Sequence, residues 1–189
     1  MKKYLIITII ILFLPNYGQT FDIRNMVSNL TKAVGNNEII PDKSIFGVPY
    51  GTSEDEFIEK FGKPIGYIQI SQSKTGMIYG KKYLFLFTDT QLSGIRISHN
   101  IIDWQISNQI VGNSPFDNYQ WKLDNNLKKE MSLTDVKKIL GSRLETGRHG
   151  YKKLYKTTES TVTLNFSHYP DAGDSDDSYK LHGILIQKN

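Results

Sequence analysis

The chain has 189 residues, no cysteine, 39% hydrophobic and 22% charged residues. That apolar share is enough for a packed core and excludes collagen-like, disulfide-stapled and natively disordered classes. The 23 basic and 19 acidic residues give a net charge of +4, and without Lys2 and Lys3 the count is 21 against 19, too near neutral to mark a nucleic-acid binder.

The first segment reads as a secretory signal peptide over residues 1–19. Lys2 and Lys3 form its basic start, Tyr4 to Leu14 its apolar stretch, and Pro15 to Thr20 the break before the first acid, Asp22. The apolar run is about half of the roughly 20 residues that a spanning helix needs. With no cysteine behind it, a bacterial lipid anchor is excluded. Export to an oxidising compartment without cysteines leaves stability to packing alone. The expected localisation is periplasmic or extracellular.

From residue 20 to 100 the sequence reads as a first repeat with an N-terminal helix. Ile23, Met26, Val27, Leu30 and Val34 share one helical face, with Asp22 as cap and Gly35 as stop. Ser53 stands three residues before Glu56, the capping-box arrangement, and opens a short helix that Gly62 ends. Strands follow over residues 65–71, 77–80, 83–87 and 92–97. A connector begins at residue 101, where Trp104-Gln105-Ile106 fits either strand or helix.

The second repeat, within residues 101–189, restates that order. Ser132 and Asp135 cap a helix that Gly141 ends, an offset of 79 residues from Ser53 and Gly62. Tyr83-Leu84-Phe85-Leu86-Phe87 matches Val162 to Phe166 at the same offset. Leu92-Ser93-Gly94-Ile95-Arg96-Ile97 matches Leu181 to Ile186 at an offset of 89. The difference falls in the turn-rich stretch Pro170 to Ser178, expected to be a long hairpin loop. Further strands are expected around residues 143–146 and 152–158. The predicted class is α+β: two tandem helix-plus-antiparallel-meander repeats forming one curved sheet with helices on one face.

A capped helix ending in glycine, then a meander closing on Leu-x-Gly-Ile-x-Ile, duplicated in a secreted chain, resembles the tandem repeats of the β-lactamase-inhibitor-protein-like fold. Its single-copy relatives are outer-membrane assembly lipoproteins of the SmpA/OmlA (BamE) type. The resemblance covers about residues 45–97 and 123–186. It implies an open sheet face that grips a partner protein, and a binder rather than an enzyme.

Catalytic and cofactor signatures are missing from the sequence. It holds no G-x-S-x-G, G-x-G-x-x-G, Walker loop or H-E-x-x-H. His99, His149, His168 and His182 lack metal-ligand spacing. Asp171, Asp174, Asp176 and Asp177 form the one weak metal candidate, but counting from Asp174 puts Tyr179 where an EF-hand needs glycine and Leu185 where it needs glutamate. Glu54, Asp55, Glu56 and Glu59 fit dipole complementation at a helix start. Neither a catalytic residue nor a cofactor is expected.

Two surfaces could take a partner. If Tyr83, Phe85 and Phe87 face the helix, Leu84 and Leu86 face the other way, where the second repeat has Thr163 and Asn165. Those leucines need either a cover within the chain, around Trp104 or Trp121, or an outside partner. Leu84, Leu86 and Arg96, with Tyr67 and Tyr79 beside them, form the first candidate surface. The second is the basic-aromatic run Arg148, Tyr151, Lys153 and Tyr155, within a wider set including Arg143, His149, Lys152 and Lys156. It would be either a solvated edge or a contact for an anionic envelope surface or acidic protein. The expected function is an exported non-catalytic protein-binding module of the bacterial cell envelope, of inhibitor, immunity or assembly-factor type. The alternatives are a ligand carrier or enzyme using the cleft between repeats, and a structural domain that self-associates.

Overall fold

The computed structural model describes residues 37–99, 101, 116, 119–147, 151–169, 173 and 175–189. The leader, the helix expected over residues 21–34, and Trp104 to Ile106 lie outside them.

Two helices of eight residues form where the caps predict them. In α1 (Glu54–Phe61) the Ser53 Oγ accepts from the Glu56 N–H at 3.3 Å, and the Glu56 carboxylate accepts from the Ser53 N–H at 3.0 Å. In α2 (Leu133–Leu140) the Ser132 Oγ accepts from the Asp135 N–H at 3.1 Å. Gly62 and Gly141 end them at φ 80° and 56°, backbone that side chains resist.

Strand pairing dominates the rest. One sheet has eight antiparallel strands in the order β4 (Gly66–Ser71), β5 (Lys74–Tyr79), β6 (Tyr83–Thr88), β7 (Gln91–Ile97), β12 (Tyr179–Lys188), β11 (Ser160–His168), β10 (Lys152–Lys156), β9 (Glu145–Thr146). A second, four-stranded sheet is built of short pieces in the order β3 (Val48–Pro49), β2 (Ser44–Ile45), β1 (Glu38–Ile40), β8 (Lys122–Leu123), with β1 and β8 parallel.

The predicted class is therefore corrected. Among the described residues the protein is mostly β, with twelve strands in two sheets and only two short helices, and it is not an α+β pair of helix-plus-meander repeats on one curved sheet. The physical reason lies in two places. Glycine stops each helix after about two turns, and Ile39, Ile45 and Val48, which carry no helical period, pair as strands and bury completely or nearly so, with Phe46 buried in the turn between them.

One continuous core holds the layers together. Met77, Tyr79, Tyr83, Phe85, Phe87, Ile95, Ile97, Val162, Leu164, Ile184 and Ile186 line the inner face of the large sheet, against Phe57 and Phe61 of α1, Val136 and Leu140 of α2, and the small sheet. Phe57 sits among the rings of Phe61, Phe85, Phe87 and Tyr79 at centroid distances of 4.6 to 5.8 Å.

The two halves of the large sheet join at β7 and β12. Ile97 pairs with Ile184 and Ile95 with Ile186. A Cβ on Gly94 would lie 2.2 Å from the Ile186 carbonyl oxygen, and one on Gly183 would lie 2.4 Å from that of Ile97. Alanine at Gly94 must push the seam open, whereas alanine at Gly62 meets nothing within 4 Å and pays only for its positive φ. Gly94→Ala is expected to lower stability by roughly 2 kcal/mol or more, and Gly62→Ala by about 1 kcal/mol. Paired denaturant melts check the order of the two.

Candidate functional site

The first predicted surface divides on inspection. Leu84 and Leu86 are 5% and 8% exposed and form, with Ile78, a small second core on the outer face of the large sheet, flanked by Ile65, Ile68, Ile101 and Leu185. Leu84 fills the space above Gly76, where a Cβ would lie 2.7 Å from its Cδ1. The two leucines are thus interior residues, not contacts for a partner. Tyr79 is fully buried on the opposite face, between Phe57 and Phe61, and its hydroxyl donates to the Gly62 carbonyl at 2.6 Å. Its place on that surface is corrected as well: β5 turns Ile78, not Tyr79, toward the leucines. Burial pushes the Tyr79 phenol above its ordinary pKa.

Two members remain at the surface. Arg96 is exposed, paired in register with Leu84 on one side and Leu185 on the other. Tyr67 is 61% exposed on β4, paired with Met77 and so on the helix side of the sheet. Beside it stands Ile70, 49% exposed, its Cδ1 reaching over Gly76 on the outer side. Parity arguments overlooked Ile70, although its place in the uncharged stretch Ile65 to Ser73 could have marked it.

The second surface is likewise split. Arg148 and His149 lie outside the described residues. Tyr151 is exposed, its ring 5.6 Å from that of Tyr179, which in turn lies 4.8 Å from His168. Lys153 is half-buried near Thr146. Tyr155 is 2% exposed, a core residue, because its strand parity matches that of Val162 across β11. Burial pushes its phenol up to about 12, with Asp124 and Asp42 adding to the effect and Arg143 opposing it.

Of the acidic candidates, Asp171 and Asp174 lie outside the described residues. Asp176 is held by the Lys137 ammonium of α2, and Asp177 shares its single 3-10 turn. Among the described residues no group of three or more His, Asp or Glu side chains is placed to hold a metal ion. Glu54, at the start of α1, accepts from the Thr75 hydroxyl at 2.7 Å and so ties the helix to β5.

Sequence reasoning passed over Asp42. It sits in the β1–β2 turn at φ 66°, accepts from the Thr157 hydroxyl at 2.7 Å and from the Glu159 N–H at 3.2 Å, and locks the small sheet to the β10–β11 hairpin. Partial burial would raise its pKa. The Ser160 and Thr157 hydroxyls and the Glu159 and Thr158 amides outweigh that and hold it below the ordinary carboxylate value.

A hollow of about 400 Å³ opens at the end of β5 to β7 between Gly51, Lys74, Thr88, Asp89 and Lys188. It is shallow and wide. Its charged groups are two lysines and one aspartate, a set that can hold an anion but offers no nucleophile paired with a base.

No protein-family model and no curated protein matches the chain. Two solved structures are similar to it in part. One is an extracellular protein containing an SCP domain from Bacillus anthracis str. Ames, 11% identical, with a TM-score of 0.46 over 74% of this chain and 44% of that one. The other is a cysteine-rich secretory protein from Staphylococcus aureus subsp. aureus Mu50, 14% identical, with a TM-score of 0.36 over 74% and 43%. The chain therefore spans less than half the length of either protein. The architecture of the described residues, twelve strands in two sheets with only two short helices, departs from the one that the β-lactamase-inhibitor-protein-like and BamE-like resemblance implies, so the resemblance does not hold. Export is what the sequence of residues 1–19 leads one to expect, and among the described residues no helix is long and apolar enough to cross a membrane.

Two outcomes follow from this geometry. Leu84→Asp buries a carboxylate in an apolar cluster and is expected to cost more than about 2 kcal/mol, while Arg96→Ala on the same face changes stability by under about 0.5 kcal/mol; thermal melts of the two variants check this. His182 supplies the second. Burial lowers its pKa below 6.5, His99 and Lys129 add to that and Glu130 opposes it, with the Ser167 hydroxyl 3.0 Å from its Nδ1. The folded state then binds the proton less readily than the unfolded chain, so stability is full above the ordinary histidine value and falls as pH drops through it. Between about pH 7.5 and 5.5 the wild type should lose stability, and His182→Gln should lose less, in denaturant melts at the two pH values.

Proposed function

We propose that this exported protein is a non-catalytic protein-binding module of the cell envelope or its surroundings. The observation that carries the reading is the state of β4. It is one of the two edge strands of the large sheet, and it displays Tyr67 and Ile70, two of the four large hydrophobic side chains most exposed among the described residues. Exposed aromatic and aliphatic groups on a rigid sheet supply the anchors from which protein interfaces draw most of their energy. The exposed Arg96 on the outer face of the same sheet adds the third type of anchor that such interfaces favour.

The reading also takes in the residue ranges: a leader over 1–19, then 20–100 and 101–189 as the two parts that meet at β7 and β12. No ligand chemistry is needed for it. The SCP domain named in one neighbour's description is a property of that protein, of which this chain spans less than half.

A photo-crosslinking side chain in place of Tyr67 tests the proposal directly. In an envelope or culture extract it should give one discrete heavier protein band, while the same group at Tyr151, on the far end of the sheet, should give none. A band at Tyr151 alone would move the partner to the second surface. No band at either position, with a small molecule retained on native mass spectrometry, would replace the reading with that of a carrier.

A further inference from the structure

Beyond the exposed side chains, β4 offers its backbone. In an edge strand, alternate residues direct their N–H and C=O groups away from the sheet, and soluble proteins normally guard such an edge with lysine, proline or a bulge. In β4 those guards stand only at the ends. Pro64 precedes it, and a bulge between Gln69 and Ser71 follows, where the Gln69 amide reaches the Ser71 and Lys74 carbonyls. From Ile65 to Ser73 the chain has no charged residue at all. The window from Gly66 to Ile70 is open, and among the described residues no strand pairs with its outer side.

Charge selects the occupant. From Lys60 to Thr88 the sequence carries lysines at 60, 63, 74, 81 and 82 and no Asp or Glu. Lys63 precedes the window, and Lys74, on β5 and paired with Ser71, stands beside its far end; both are exposed. A second copy of this chain is a poor fit, because pairing β4 with its own antiparallel copy sets two lysine-flanked, acid-free edges against each other. An extended segment with carboxylates at its ends is the complement.

We infer that β4 is a strand-addition site for an extended segment of a partner protein, uncharged and β-branched at its centre and acidic at both flanks. The segment adds a ninth strand to the eight of the sheet. Its alternate side chains meet Tyr67 on the helix side and Ile68 and Ile70 on the outer side, and its acidic ends meet Lys63 and Lys74. This rests on the protein-binding reading and specifies the chemistry of the partner.

The test uses a synthetic peptide with a Val-Thr-Val-Thr-Val centre and a pair of glutamates at each end, titrated into the processed chain by calorimetry and by amide NMR. Saturable binding is expected, with shifts concentrated in β4 and β5. Lys63→Glu with Lys74→Glu should weaken it at least about tenfold, and a lysine-ended version of the peptide should prefer that variant over the wild type. Because both lysines are exposed the variant should fold, and a second measurement leaves the protein untouched: N-methylation of one of the two alternate sets of peptide amides should abolish binding, while methylation of the other should not. Binding indifferent to the charge swap or to both methylations, no binding at all, or a dimer of the chain in sedimentation would each overturn the inference. If Tyr67 still crosslinks a protein while the peptide fails, the binding module stands and strand addition falls.

Discussion

The backbone-to-backbone approach at β7 and β12 is the contact on which the architecture depends. Without it the large sheet splits into two four-stranded halves, each with a newly bare edge and half a core. Gly94 lies against the Ile186 carbonyl and Gly183 against that of Ile97, so each strand uses a missing side chain to let the other's carbonyl in. The pairing is reciprocal. Residues that match in sequence at the offset of 89, Ile95 with Ile184 and Ile97 with Ile186, exchange partners across the seam, and Arg96 faces Leu185 at its centre. A local two-fold relation of this kind makes both glycines necessary for the same geometric reason.

The capped helices were legible because their determinants are local. A serine three residues before an acid, and a glycine some nine residues later, need no knowledge of the rest of the chain: Ser53, Ser132, Gly62 and Gly141 cap and stop their helices, Glu56 closes the full capping box, and Asp135 takes the Ser132 hydroxyl instead of its N–H. The class was not legible from them. Ile39, Ile45 and Val48 belong to strands of two or three residues, too short to show alternation, and the β8 partner of β1 lies more than 80 residues away, at Lys122 and Leu123. Matching helices and meanders therefore suggested an α+β protein and a family resemblance, and a second sheet with no sequence period overturned the first.

The candidate surface shows where parity reasoning stops. Alternation placed Leu84 and Leu86 opposite Phe85, and that much is seen in the register with Gly94, Arg96 and Gly76. It could not say whether the second face is covered, since coverage comes from Ile65, Ile68, Ile101 and Leu185, residues contributed by other strands and a loop. Tyr79 was misassigned for a simpler reason: the boundary of β5 was drawn too late, and register follows from pairing with β6, where Tyr79 meets Tyr83. The exposed position at Ile70 has a signal of its own, the absence of any charge from Ile65 to Ser73.

The Asp42 lock has a consequence for the order in which the protein becomes native. Its partners, Thr157 and Glu159, are 115 and 117 residues further along the chain, and the β1–β8 pairing is also distant in sequence. An exported chain crosses its membrane as an extended polymer, and if the N-terminal end emerges first, β1 and β2 reach the far side long before anything that can hold them. The loop entropy of such contacts is recovered only when residues near 160 arrive. The four-stranded sheet therefore cannot be locked in place until residues near 160 arrive, and until then Ile39, Ile45 and Phe46 lack neighbours that bury them in the finished core.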